Sequence, residues 1–225
     1  TIARCSAYVA TAPSALATVI IIRYSLYSSP FRRRADQIRL FFRAFDIAFE
    51  DVQVNRDAFL ELKQQGPATL AFGSLPMLED GAFRLCQGPV ILSYLARKHD
   101  VAPTGLESGA MADAVAWGAE DLRTRYFKLF GDDAESKQAE FVSGDWQPRW
   151  LPHLDGLLAR QGASGYFAGK QLTHADMAVW DVLDAILINI AGAKLDGFTQ
   201  LEAFYAAFRA LPNVAAYIES GTRLS

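Results

Sequence analysis

The stretch "YSLYSSPFRRRADQIRL", residues 24–40, gathers the side chains best suited to chemistry. Tyr24, Tyr27, Ser28 and Ser29 offer hydroxyl donors, and Arg32, Arg33 and Arg34 follow almost at once. No acidic residue occurs in positions 1–35, although the whole chain carries a net charge of −3. Arginines at the start of a helix oppose its macrodipole, at about 0.3–1 kcal/mol each. That arrangement is easier to understand if an anion or carboxylate sits among them than if the face is merely solvated.

Two kinds of element must position these groups. From Val19 the chain reads βαβ: "VIIIRYSLY" is β-branched and strand-like, and Ile38, Phe41, Phe42 and Phe45 recur at helical spacing. "AFEDVQV" alternates as a second strand, and "RDAFLELKQQ" is a short helix stopped by Gly66 and Pro67. "LPMLEDGAFRLC" is a pair of short strands about a turn at Asp80-Gly81, and "GPVILSYLARKHD" is a helix with Val90, Ile91, Tyr94 and Leu95 on one face. The order is βαβαββα over residues 19–102.

After Pro103 and Gly105 only helical spacing remains, through residues 107–225. One helix carries Val115, Leu122, Tyr126 and Leu129, and a second spans 141–161 with a bend expected at Pro148 or Pro152. A third begins at "LTHADMAVWDVLDAILINI", where Thr173 and Asp176 form a capping box with Asp in place of Glu. Shorter helices near 200–210 and 212–219 complete the chain. The fold class is thus α/β followed by all-α.

Composition narrows the function. The 225 residues are 51% hydrophobic, enough for a substantial core. A pI of about 5.6 argues against bulk nucleic-acid binding, and no apolar run reaches the roughly 18 residues of a membrane span. Cys5 and Cys86 form no disulfide framework, which suits a reducing compartment, and the cytoplasm is expected. His99, His153 and His174 lack metal-ligand spacing, so no metal is expected. Residues 1–18, with Arg4 their only charge, read as an accessory extension; a targeting remnant, and with it an organelle, is the alternative.

An α/β unit of this order followed by helices resembles a cytosolic glutathione transferase, whose first domain is thioredoxin-like. "RRRADQIRL" resembles the start of the first helix in the tyrosine-type classes. "FGSLPMLEDGAFRLCQGPVILSYLARKHD" resembles the glutathione-site segment, "GAEDLRTRY" the first helix of the second domain, most like the pi and sigma classes, and "FAGKQLTHADMAVWD" the buried capping motif.

The resemblance implies a site for glutathione as co-substrate, with no further cofactor. A catalytic hydroxyl is expected at the end of the first strand. The position eleven residues before Arg39 is Ser28, but one inserted residue would bring Tyr27 there. Tyr27 is the favoured residue, with Ser28, Ser29 and Tyr24 as alternatives, and Arg34 adds positive field. Arg32 and Arg33 are expected to be solvated. Pro76 matches a cis proline that presents the backbone of Leu75, and Ser74 falls where a Gln is frequent. Gln87 is retained in the γ-glutamyl subsite, whereas Gly88 replaces a serine. Phe59 stands for a Trp and Lys63 for the lysine near the glycine carboxylate. Asp121 matches an acid that reaches the glutathione amine of a neighbouring subunit, and Phe72 an aromatic that enters the partner, so a homodimer is expected. Phe31 and Tyr126 would line an apolar electrophile pocket in the helical half. The competing reading is a non-catalytic ligand carrier or structural protein, for which Gly88 and Phe59 speak.

Overall fold

The computed structural model describes residues 24–223. The 1–18 extension and the start of the predicted first strand lie outside the described residues. The α/β unit runs β1 (Tyr24–Ser28), α1 (Asp36–Ala44), β2 (Phe49–Gln53), α2 (Arg56–Gln64), β3 (Met77–Asp80), β4 (Phe83–Cys86) and α3 (Gly88–Lys98). The sheet order is β2-β1-β3-β4, with β1 parallel to β2 and antiparallel to β3.

Alternation decides what β1 presents to each face. Tyr24, Leu26 and Ser28 are buried toward α1 and α3, where Tyr24 hydrogen-bonds His99 at 3.0 Å. Tyr27 faces the other way, against Phe59 and Leu62 of α2 and a small cluster of Leu70, Met77 and Cys86. Helix α1 buries Ile38, Phe41 and Phe42, and Phe42 stacks on Phe49 with ring centroids 4.5 Å apart. The hairpin loop is Gly81–Ala82, one residue later than expected, because Asp80 still pairs with Phe83 and Gly81 takes the positive φ of 61°.

The helical half consists of α4 (Leu106–Tyr126), α5 (Ala134–Phe141), α6 (Leu151–Arg160), α7 (His174–Asn189), α8 (Thr199–Arg209) and α9 (Pro212–Glu219). Among the described residues no strand follows Cys86, and no helix is long and apolar enough to cross a membrane. The helix expected over 141–161 starts earlier, at Ala134, and widens into a π-helical stretch over Val142–Trp150. Pro148 lies inside that stretch; the wider winding accommodates a residue that has no N–H to give.

Helix α7 is buried on all sides from His174 to Ile186 and forms the axis of this half. Its start is fixed by Asp176, whose carboxylate accepts from the Thr173 amide (2.7 Å), the Thr173 hydroxyl (2.8 Å) and the Phe167 amide (2.8 Å).

The seam between the halves is ionic. Arg32 reaches Asp36 (3.1 Å) and Asp184 (2.8 Å), and Arg123 reaches Asp181 (2.6 Å). Arg223 touches Asp36, Asp181 and Asp184 at 3.3, 3.2 and 2.7 Å, while its guanidinium lies 5.0 Å from the Trp180 ring centroid. Arg32 is therefore not solvated as its sequence context suggested: its side chain is 11% exposed because three buried carboxylates draw it inward. Burial, and then the neighbouring Asp181 carboxylate, push Asp36 up to about 6. Burial also opposes ionisation of Asp181, but Arg123, Arg32 and Arg223 outweigh it and hold that carboxyl below its ordinary range.

Removing one member leaves buried charge unpaired. Asp181→Ala, which takes the 2.6 Å partner from Arg123 and leaves Arg32 and Arg223 with Asp36 and Asp184 alone, is expected to cost about 3–5 kcal/mol. A urea titration should show the midpoint falling with little change in slope.

Candidate functional site

The β1–α1 loop, the start of α2 and the Leu75–Pro76 bend enclose a cleft of about 560 Å³. Ser28, Ser29 and Phe31 contribute from the first, Asn55, Arg56 and Phe59 from the second. A further cleft of about 320 Å³ shares Arg34, Leu75 and Pro76 with it and adds Ser74, Gln87, Gly88, Trp117, Glu120, Asp121 and Thr124. The structure thus brings together Phe31, Arg34, Ser74, Leu75, Pro76, Gln87, Gly88 and Asp121, scattered over some ninety positions of the sequence.

Local geometry explains several of these placements. The Leu75–Pro76 peptide is cis and Leu75 lies just ahead of β3, outside the strand ladder. Gln87 sits at φ 78°, a sparsely populated conformation for a residue with a side chain, immediately before α3. Gly88 and Pro89 open that helix, and Gly88 lines the second cleft, which therefore borders the positive end of the helix dipole. Arg34 is clamped by α4: its Nε donates to Glu120 in a short ion pair and its Nη2 to the Thr124 hydroxyl at 3.0 Å.

Tyr27 is not at the cleft, contrary to the expectation from its register. Strand β1 continues one residue further, so Ser28 pairs with Gln53 and no inserted residue is absorbed in the loop. Alternation then turns Tyr27 to the α2 face, where its hydroxyl donates to Glu79 at 2.8 Å. Burial and that carboxylate raise its pKa, the opposite of what a group facing positive charge would show. Tyr24 is fully buried in the core. The hydroxyl-bearing residues on the cleft lining are Ser28, itself 2% exposed, and Ser29.

Ser28 has a particular setting. Its oxygen accepts from Arg39 Nη2 at 2.5 Å, and its own proton goes to the Ser29 carbonyl across a long 3.3 Å. Arg39 is only 2% exposed and is held by both oxygens of Asp51, at 2.8 and 3.0 Å. A fixed guanidinium thus polarises a hydroxyl whose donor is weakly engaged.

Two further expected site residues, Tyr126 and Lys63, line neither cleft. Tyr126 is buried among Phe127 and Phe130 and lines neither cleft, because its place on α4 points it into the helical core. Lys63 lies with its ammonium 5.5 Å from the Phe59 ring centroid, and Arg56, one turn from Phe59, supplies the cation at the cleft wall instead. Asp121 lines the second cleft. Sequence reading missed Arg39, Gln37, Arg56, Glu120 and Thr124. The Glu120–Thr124 pair had a signal, since residues four apart share a helix face.

The comparisons agree with this architecture. Residues 23–97 match the glutathione S-transferase N-terminal domain and residues 120–221 the glutathione S-transferase C-terminal domain. Glutathione S-transferase Mu 2 of Rattus norvegicus is 32% identical over 202 residues, spanning 86% of this chain and 89% of that protein. Glutathione S-transferase P 1 of Xenopus laevis is 27% identical over 201 residues, 89% of this chain and 93% of that one. The pi-class glutathione S-transferase of Onchocerca volvulus superposes with a TM-score of 0.80 at 28% identity, covering 88% of this chain and 92% of the other. The chain belongs to the glutathione S-transferase family.

Gly88 does more than lack a hydroxyl. A Cβ there would lie 2.8 Å from Gln37 Nε2 and 3.3 Å from the Arg34 carbonyl oxygen, because the Gln37 amide fills the space and donates to that same carbonyl at 3.1 Å. Gly88→Ser alone is therefore expected not to tighten glutathione binding. Combined with Gln37→Ala it should bind about 5- to 150-fold more tightly than Gly88→Ser alone, the worth of one added hydrogen bond. Titration calorimetry of the two variants checks this, and equal affinities would reject it.

Proposed function

We propose that this glutathione transferase activates the glutathione thiol with Ser28, in a serine-type site, and conjugates or isomerises apolar electrophiles. The observation that carries the reading is Ser28 itself, lining the cleft with Arg39 Nη2 on its oxygen at 2.5 Å. A free thiol of this kind has a pKa of about 8.5. Lowering it by about two units requires about 2.7 kcal/mol of preferential thiolate stabilisation.

Three groups supply it together. The Ser28 proton leaves the long bond to Ser29 and donates to the sulfur, while Arg39 stabilises the hydroxyl from behind. The start of α1, at Ala35 on the cleft wall, adds its N-terminal dipole. Arg34 adds a positive charge held in place by Glu120 and Thr124. The thiolate then attacks the electrophilic carbon: the C–S bond forms, and the leaving group departs with its electron pair or the resulting carbanion takes a proton from water.

The rest of glutathione finds complementary groups in the two clefts. The γ-glutamyl carboxylate meets the free amides at the start of α3 and the Gln87 side chain, and the amine meets Asp121. The backbone of Leu75, turned by the cis bond, pairs with the cysteinyl unit. Arg56 takes the glycine carboxylate in place of the lysine first assigned there.

We further propose a homodimer. Phe72 is 72% exposed, and Phe83, Val90, Met111 and Trp117 add exposed apolar surface from β4, α3 and α4. Phe72→Asp is expected to shift the molecular mass in light scattering from dimer toward monomer; a wild-type protein that is monomeric at every concentration would reject this.

Ser28→Ala should cut kcat by roughly 10–100-fold and raise the pKa of the bound thiol, which the thiolate absorbance reads directly, with glutathione affinity little changed. Tyr27→Phe should keep near-wild-type turnover, since the Tyr27 hydroxyl faces Glu79. The reverse pattern would restore the tyrosine-type site.

A further inference from the structure

We propose that Arg33 is a specificity-determining residue that favours electrophiles carrying a carboxylate beside a flat apolar body. The inference rests on the proposed function, since it names the second substrate of the same site. Three arginines succeed one another at the start of α1, and their fates differ. Arg32 is neutralised inside the seam, and Arg34 is paired with Glu120. Arg33 remains exposed on the cleft wall and makes no ion pair among the described residues.

Its side chain is nevertheless placed. The guanidinium lies 5.8 Å from the Phe31 ring centroid and 5.9 Å from that of Phe127, within cation–π distance of both. Phe31 comes from the β1–α1 loop and Phe127 from the turn after α4, so the two halves of the protein hold one cation between two rings. Phe31 is itself 57% exposed and offers apolar area to a ligand. Among the described residues, the larger cleft is lined by Arg33, Arg34 and Arg56 and by no acidic residue. Arg56, at the start of α2, is the residue we assign to the glycine carboxylate of glutathione, and Arg34 is paired with Glu120. Among the described residues of the cleft wall Arg33 is the remaining cation, two positions from Phe31 in the sequence.

An electrophile whose ring lies on Phe31 would set a carboxylate against Arg33, which can accept it through two parallel N–H donors. An uncharged electrophile gains the apolar contact but leaves the guanidinium to be displaced or desolvated. The expected preference for the anionic member of a matched pair is about tenfold, as befits a charge-assisted contact in a half-open cleft.

The probes are a chlorodinitrobenzoate with chlorine para to the carboxylate, and its methyl ester. In both, the glutathione sulfur bonds to the ring carbon, the C–Cl bond breaks with its electron pair to release chloride, and the thiol proton passes to solvent. The readout is kcat/KM for the acid over that for the ester, each divided by its uncatalysed rate with glutathione. Wild type should favour the acid, and the ratio should shrink between about 20 and 500 mM salt. Arg33→Gln should lower the ratio about tenfold while the KM for glutathione stays put, and Arg33→Lys should retain part of it.

An unchanged ratio in Arg33→Gln, with both probes still turned over, overturns the inference alone. A raised KM for glutathione with equal losses on acid and ester also overturns it, and assigns Arg33 to the glutathione subsite. A protein that neither binds glutathione in calorimetry nor turns over either probe overturns the reading of the site, and this inference with it.

Discussion

Burying three aspartates is costly unless each finds a cation, and this requirement organises the molecule. Asp36 on α1 and Asp181 and Asp184 on α7 would repel one another if left alone. Arg32, Arg123 and Arg223 converge on them from the β1–α1 loop, from α4 and from the end of the described chain. A charge taken out of water tolerates little displacement of its partner, so the cluster pins the two halves in one relative position. Apolar packing alone would permit more sliding at such a seam. The tyrosine hydroxyl of Tyr205, donating to Asp184 at 2.6 Å, extends the same network into α8.

The site inherits its geometry from that seam. Helix α1 is held at its first residue by Arg32 and Arg223 on Asp36, and three residues later Arg39 approaches the same carboxylate at 3.5 Å. Arg39 is thereby fixed between Asp36, Asp51 and the Ser28 oxygen. The hydroxyl we assign to the thiol is thus the last link of a chain of buried charges that starts on α7. Its polarisation is a property of the whole fold rather than of a loop.

Much of this was legible in the sequence. The period-two and period-3.6 patterns located every strand and nearly every helix, because most of these elements bury one face or one stripe. The segment from Gly73 to His99 showed the bend at the cleft through Pro76 and its helix start through Gln87 and Gly88. The misreadings have physical causes. Tyr27 and Ser28 are neighbours, and a shift of one residue exchanges the two faces of a strand; only the pairing of Ser28 with Gln53 decides it. Arg32 looked solvated because its partners Asp181 and Asp184 lie some 150 positions away. Gln37 passed as an ordinary helix residue, yet it occupies the space above Gly88. The helix over 141–161 was legible through Pro148, but its extension back to Ala134 was not, because α5 buries only Phe141 and so shows no apolar stripe.

The clamp on Arg34 has a further consequence for how such proteins can be recombined. The arginine belongs to the α/β half, while Glu120 and Thr124, one turn apart on α4, belong to the helical half. Neither half carries a finished binding surface. A chimera that joined this α/β half to a foreign helical half would keep a correctly oriented cation only if the incoming helix offered an acid and a hydroxyl at the same two heights. The junction between the halves is accordingly a poor place for free exchange of modules, and substitutions at Arg34 and at Glu120 and Thr124 should be tolerated as a set rather than singly.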